Sequence, residues 1–142
     1  MEKMMSNIRE IKEIADLLEN WTTDKNGIKS AFTGIVELME SMDGLVYSFK
    51  SRPGISHSLR AMVDNAEQKL LILMDIIDDD PENRWLSICF YAETITDPDE
   101  EGDLIPGGLS GEDGYCFDLF ENDADMVSYL KERIKEAHAK YF

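Results

Sequence analysis

The sequence predicts an α+β domain, in which an antiparallel sheet of four to five strands carries two N-terminal helices and one C-terminal helix mainly on one face. Apolar residues recur every three or four positions up to Met42 and again after Asp123, which is the period of a helix. Between Leu45 and Ile95 they mostly alternate instead, which is the period of a strand, and residues 69–77 form a nearly continuous apolar run, as expected of a strand covered on both faces. Short connections between the alternating segments favour an antiparallel meander. Helices packed on one face of such a sheet bury all the apolar stripes.

The N-terminal helices are predicted at about residues 4–19 and 23–42. Thr22 or Thr23 can cap the second helix through a side-chain oxygen, and Gly44 supplies a stop at its end. This second helix has the clearest apolar stripe in the chain, formed by Ile28, Ala31, Phe32, Ile35, Val36, Met39 and Met42.

The strands are predicted at about residues 45–51, 55–63, 69–77 and 84–95, with a short fifth strand at 115–120. Pro53 and Gly54 suit the corners of the first turn, since proline fixes φ and glycine tolerates a positive φ. The C-terminal helix is predicted at about 123–141, with Asn122 or Asp123 as its N-cap.

The segment 96–114 has no apolar period and is rich in acidic residues and glycine. We expect a loop here, because a long connection without regular structure is usually functional or disordered. No internal repeat and no linker divides the chain, so residues 1–142 are predicted to form a single domain.

The net charge of −16 is concentrated in one part of the chain. Residues 64–125 hold nineteen acidic against two basic residues, whereas residues 1–63 have a net charge of −1 and residues 126–142 one of +2. A negative field of this kind repels phosphates, which argues against nucleic acids and anionic membranes as partners. Plain solubility is the simplest reason for this charge, and a basic protein or cations are the functional alternatives.

Cys89 and Cys116 are expected to be two buried thiols rather than a disulfide, because both lie in apolar runs without a C-x-x-C spacing. No apolar leader follows Met1, and the longest apolar run, residues 70–74, is too short to cross a bilayer. These observations predict a cytoplasmic protein.

The acidic segment suggests a cation site. Asp97, Asp99, Glu101 and Asp103 alternate along the chain and could bind Ca²⁺ or Mg²⁺ through carboxylate oxygens. An EF-hand is excluded, because Gly108 stands where the bidentate glutamate of that loop should be. A metal-assisted hydrolase built on these acids is one hypothesis for function.

The early hairpin suggests an anion site instead. Arg52, Ser56 and Arg60 could hold a carboxylate through guanidinium and hydroxyl donors, although isolated arginines more often pair with acidic residues of the same protein. This hypothesis makes the chain a small-molecule-binding domain.

No catalytic residues can be assigned from spacing. The chain has two histidines, His57 and His138, and no G-x-S-x-G motif, so a Ser–His or Cys–His pair could arise only through tertiary contact. The leading hypothesis is therefore a non-enzymatic protein-interaction or regulatory module, with a homodimer as its expected state. It would present an acidic sheet edge and the 96–114 loop to a protein partner.

Overall fold

The computed structural model describes residues 5–142, apart from the side chain of Arg9. Within these residues the chain forms one antiparallel sheet of six strands, in the spatial order β1-β2-β3-β4-β6-β5. The strands are β1 Leu45–Arg52, β2 Ser56–Val63, β3 Leu70–Ile77, β4 Trp85–Tyr91, β5 Asp103–Leu109 and β6 Glu112–Leu119. The first four strands form the meander that their short connections predict, and the α+β class is confirmed.

The strand count corrects the prediction of four to five. The segment 96–114, predicted as a loop, contains β5 and the beginning of β6, which form a hairpin closed at Ser110 and Gly111. β5 was not predicted because all of its residues except Leu109 are exposed, so apolar and polar residues do not alternate along it. Pro106 is tolerated because β5 lies at the edge of the sheet, where a backbone donor can be spared.

Three α-helices are present in the described residues: α1 Lys12–Asn20, α2 Ile28–Glu40 and α3 Ala124–Tyr141. A single 3₁₀ turn at Ile8–Glu10 precedes α1, and the predicted beginning of this helix at residue 4 lies outside the described residues. α3 begins at its predicted cap, because the Asp123 carboxylate accepts hydrogen bonds from the backbone N–H groups of Asp125 and Met126. None of the helices within residues 5–142 is long and apolar enough to cross a lipid bilayer.

The main core lies between the helices and one face of the sheet. Its largest fully buried side chains include Trp21, Phe32, Phe90 and Phe117. All three helices contribute to it, as the amphipathic stripes require. A smaller apolar cluster on the opposite face is formed by Val46, Met62, Leu70, Cys89 and Leu109.

The expectation of two free thiols is wrong. Cys89 on β4 and Cys116 on β6 are direct partners across the two strands, with Cα atoms 4.1 Å apart, and their sulfur atoms are bonded. Their separation of 27 residues gave no indication of this, because strand register is a tertiary property that spacing along the chain does not reveal.

Candidate functional site

An acidic cleft lies where β6 gives way to α3, with a volume of about 420 Å³. Four parts of the chain enclose it: the connection between α1 and α2, the connection after β4, the end of β6 with the residues that follow it, and the first turns of α3. The described residues that line it include six carboxylates and no basic side chain. The acidic residues are Asp99, Glu101, Asp118, Glu121, Asp123 and Asp125, and the other lining residues are Asn26, Leu119, Phe120, Met126 and Tyr129.

Asp97 holds the wall of the cleft in place. Its carboxylate accepts hydrogen bonds from the backbone N–H groups of Glu101, at 3.0 Å, and Gly102, at 2.9 Å. The Tyr129 hydroxyl of α3 donates to the same carboxylate, and it also accepts from the backbone N–H of Asp99 at 3.3 Å. The connection after β4 is therefore tied to α3, which fixes the cleft's shape.

The ionisation of the carboxylates follows from these contacts. Burial alone would raise the pKa of Asp97, but the hydrogen bonds from Tyr129, Gly102 and Glu101 outweigh it and lower that pKa. At Asp118, burial and the neighbouring charge of Asp103 both raise the pKa. No basic residue in the described part of the chain lines the cleft beside Asp118, so a cationic group from outside would relieve this environment.

An aromatic pair stands at the mouth of the cleft. Phe120 is 60 % exposed, and its ring lies on Trp85 of β4 with ring centroids 4.9 Å apart. Trp85 is paired across the sheet with Ile77, so an apolar strip runs from β3 to Phe120 on the face that the helices leave open. Exposed aromatic rings beside a polar rim are typical of protein interaction surfaces.

The structure separates the residues predicted to bind a metal. Asp97 points its carboxylate at the protein's own N–H and O–H groups, Asp99 and Glu101 line the cleft, and Asp103 lies on β5 opposite Cys116. Among the described residues, no three Asp, Glu, His or Cys side chains are grouped so that they could hold a metal ion. The cation site stays a prediction, without a preformed ligand shell.

The predicted anion residues are only partly brought together. Arg52 and Ser56 are direct partners across β1 and β2, whereas Arg60 pairs with Ser48. Arg60 is four residues from Ser56 along the strand, roughly 13 Å, so a small anion bound at Arg52 and Ser56 would be beyond its reach. The anion site also stays a prediction.

Sequence reasoning missed a buried polar network at the same end of the sheet. His57 Nδ1 lies 2.9 Å from Ser51 Oγ, and His57 Nε2 lies 2.7 Å from Asp78 Oδ2. Arg84 donates to both oxygens of Asp78, at 2.7 and 3.3 Å, and its guanidinium lies over the ring of Trp21. Burial by itself would raise the pKa of Asp78, but the hydrogen bonds and charges of Arg84 and His57 lower it.

No signal in the sequence could have revealed this network. Its members are spread over β1, β2 and the connection between β3 and β4, and no motif links them. Only the alternation that puts His57 on the strand face opposite to Ser56 and Ser58 was readable.

Comparison with protein families, curated proteins and solved structures finds no match to this chain. The case for function therefore rests on the geometry of its own residues.

Proposed function

We propose that this protein is an interaction module whose acidic cleft has a non-enzymatic role: it binds a basic segment of a protein partner, with Phe120 as the apolar anchor. The observation that carries the proposal is that the described residues bring together six carboxylates, no basic side chain and a 60 % exposed aromatic side chain at one cleft.

The charge of the cleft selects a cationic occupant. Six carboxylates in one concave surface create a negative potential that attracts lysine and arginine side chains and repels acidic ones. The exposed ring of Phe120 adds a site for an arginine or lysine of the partner to lie over. The specificity of the module would come from this charge, and much of its affinity from burying Phe120.

The test is a binding measurement with two fluorescent peptides of equal length, one alternating Arg and Leu and the other Glu and Leu. We expect fluorescence anisotropy to report binding of the basic peptide only. Phe120→Ser should weaken binding about tenfold or more, as loss of an interface anchor does. Phe142→Ser is the matched control, because Phe142 is 59 % exposed but lies at the end of the chain beyond α3.

Charge reversal gives a second comparison. Glu121→Lys in the cleft should reduce binding of the basic peptide, whereas Glu19→Lys on α1 should leave it unchanged. Equal loss in both variants would mean that only the overall charge matters, and the cleft would then not be the binding site.

The proposal also includes a homodimer, for which we assign the edge strand β5. Leu104 and Ile105 are 50 % and 41 % exposed there, and an edge strand with apolar side chains is a template for pairing with a second copy. Light scattering should give twice the monomer mass, and Leu104→Lys should return it to the monomer mass. A monomeric wild-type protein contradicts this part of the proposal.

We also propose a cytoplasmic location for this protein. The Cys89–Cys116 bond argues against that location, because disulfides are rare in reducing compartments.

The two alternatives, anion binding at Arg52 and Ser56 and metal binding by the loop acids, are tested by thermal shift. A ligand that binds the folded state raises the melting temperature, so citrate or Mg²⁺ should do so if either alternative holds.

A further inference from the structure

Ser51, His57 and Asp78 form a continuous chain of hydrogen bonds that ends at the surface. Ser51 Oγ lies 2.9 Å from His57 Nδ1, and His57 Nε2 lies 2.7 Å from Asp78 Oδ2. His57 and Asp78 are 5 % and 7 % exposed, whereas Ser51 is exposed. A hydroxyl bound to an imidazole that is itself oriented by a carboxylate is the arrangement that activates a serine nucleophile.

The carboxylate dictates the proton positions in this chain. Ionised Asp78 can only accept hydrogen bonds, so the proton of neutral His57 lies on Nε2 and is donated to Asp78. Nδ1 is then the acceptor for the Ser51 hydroxyl, which is the condition for His57 to act as a general base.

Two further contacts hold the chain in position. Arg84 donates to both oxygens of Asp78 and so fixes the carboxylate plane. The ring of Phe49 is parallel to the His57 imidazole within 7°, which restricts its rotation. The geometry is therefore set before any substrate arrives, as catalysis requires.

The backbone N–H of Ser51 faces away from β2. β1 is an edge strand, and Tyr47 exchanges both of its backbone hydrogen bonds with Met5 on the outer side. Because backbone N–H groups alternate between the two sides of a strand, the N–H of Ser51 also faces outward, away from β2. This N–H can donate to an oxyanion that forms on a carbonyl attacked by Ser51 Oγ.

We propose that Ser51 is an activated nucleophile that takes the acyl group of small, unhindered carboxylic esters. Ser51 Oγ bonds to the ester carbonyl carbon while its proton passes to His57 Nδ1, and Asp78 stabilises the imidazolium. The ester C–O bond then breaks, and His57 returns the proton to the leaving alcohol. Water, deprotonated by His57 in the same way, releases the acid from acyl-Ser51 and restores the serine.

The substrate class follows from the position of Ser51. The serine stands on the outermost strand of the sheet with its side chain exposed, so the acyl carbon must be unhindered and exposed as well. This activity is independent of the acidic cleft, because Phe120 belongs to the connection after β6, three strands beyond β2 in the sheet.

The experiment treats the folded, full-length protein with a fluorophosphonate probe, which phosphonylates activated serines, and identifies the adduct by peptide mass spectrometry. We expect one adduct, on Ser51, and none in Ser51→Ala, whose exposed side chain can be changed without disturbing the core. Ser58→Ala is the matched control, because Ser58 follows His57 on β2 with its side chain on the opposite face of the sheet, and its labelling should equal that of the wild type.

Two further measurements separate activation from a purely structural network. Labelling should fall about 100-fold or more in Asp78→Asn, as loss of a base-orienting carboxylate does in a serine triad. Labelling of Ser51 should also vanish when the wild-type chain is unfolded in urea. This measurement does not depend on whether a variant folds. Absence of an adduct on Ser51, or equal labelling of folded and unfolded chains, overturns the proposal.

Discussion

At the scale of single residues, the network around Asp78 illustrates how a buried charge is compensated. Asp78 is 7 % exposed and accepts hydrogen bonds from His57 and Arg84. A buried carboxylate is costly unless it is paired, and removing one partner leaves the other uncompensated. The sequence indicated the strand face of His57, but it could not show that Asp78 and Arg84 meet there, since that depends on how β3 and β4 are joined and paired.

Asp78→Asn should destabilise the fold by about 3 kcal/mol at neutral pH, because it leaves the half-buried Arg84 and the buried His57 without their carboxylate partner. The pKa of Asp78 is lower in the folded protein than its ordinary value of 3.8. The ionised carboxylate therefore contributes fully to the free energy of unfolding above pH 3.8, and this contribution is lost as the pH falls through the pKa of the folded state. Urea unfolding at pH 7 and pH 3 should show that the difference in the free energy of unfolding between wild type and Asp78→Asn is smaller at pH 3.

Asp79→Asn is the control for this measurement, because its side chain is exposed beside Asp78. Asp79→Asn should change the free energy of unfolding little at either pH. A gap between wild type and Asp78→Asn that is equally large at pH 3 would contradict the assigned role of the ionised carboxylate.

At the scale of elements, the β5–β6 hairpin is the part of the fold that the sequence pattern concealed. Its two corner residues, Ser110 and Gly111, have φ angles of 53° and 85°, as a two-residue turn with both corners left-handed requires. Glycine adopts a positive φ without strain, but serine is strained there because its Cβ comes close to the backbone. Ser-Gly is a sequence compatible with such a turn, but the hairpin was not predicted because the exposed residues of β5 show no strand pattern before it.

Ser110→Asn should therefore stabilise the protein, by less than about 1 kcal/mol, because asparagine tolerates the left-handed region better than serine. Chemical denaturation of the two proteins checks this. Ser110→Val should act in the opposite direction, since a β-branched side chain is strained at positive φ. If both changes were neutral, the turn would not have the geometry described.

At the scale of the whole molecule, the acidic residues shape both stability and binding. The segment 64–125, with nineteen acidic residues, includes β3 to β6 and most of the cleft, so like charges face one another across the cleft surface. Salt shortens the range of their repulsion to about 10 Å at 0.1 M. The same screening weakens attraction to a basic partner.

Raising NaCl from about 0.01 to 0.3 M should thus change stability and binding in opposite directions. We expect the melting temperature to rise by a few degrees and the affinity for the basic peptide to fall. MgCl₂ at equal ionic strength separates screening from specific binding, because a cation site would raise the melting temperature further. A melting temperature independent of salt would contradict net repulsion.

The sequence by itself determined the α+β class, the strands of the first meander and the helical stripes, because alternation and the 3.6-residue period are local consequences of which face is buried. It also located the negative charge. Only the tertiary structure decided that β6 lies beside β4, that Cys89 is joined to Cys116, and that Phe120 stands at an acidic cleft. These depend on contacts between residues far apart in the chain, whose register is set by the packing of the entire sheet rather than by any local pattern.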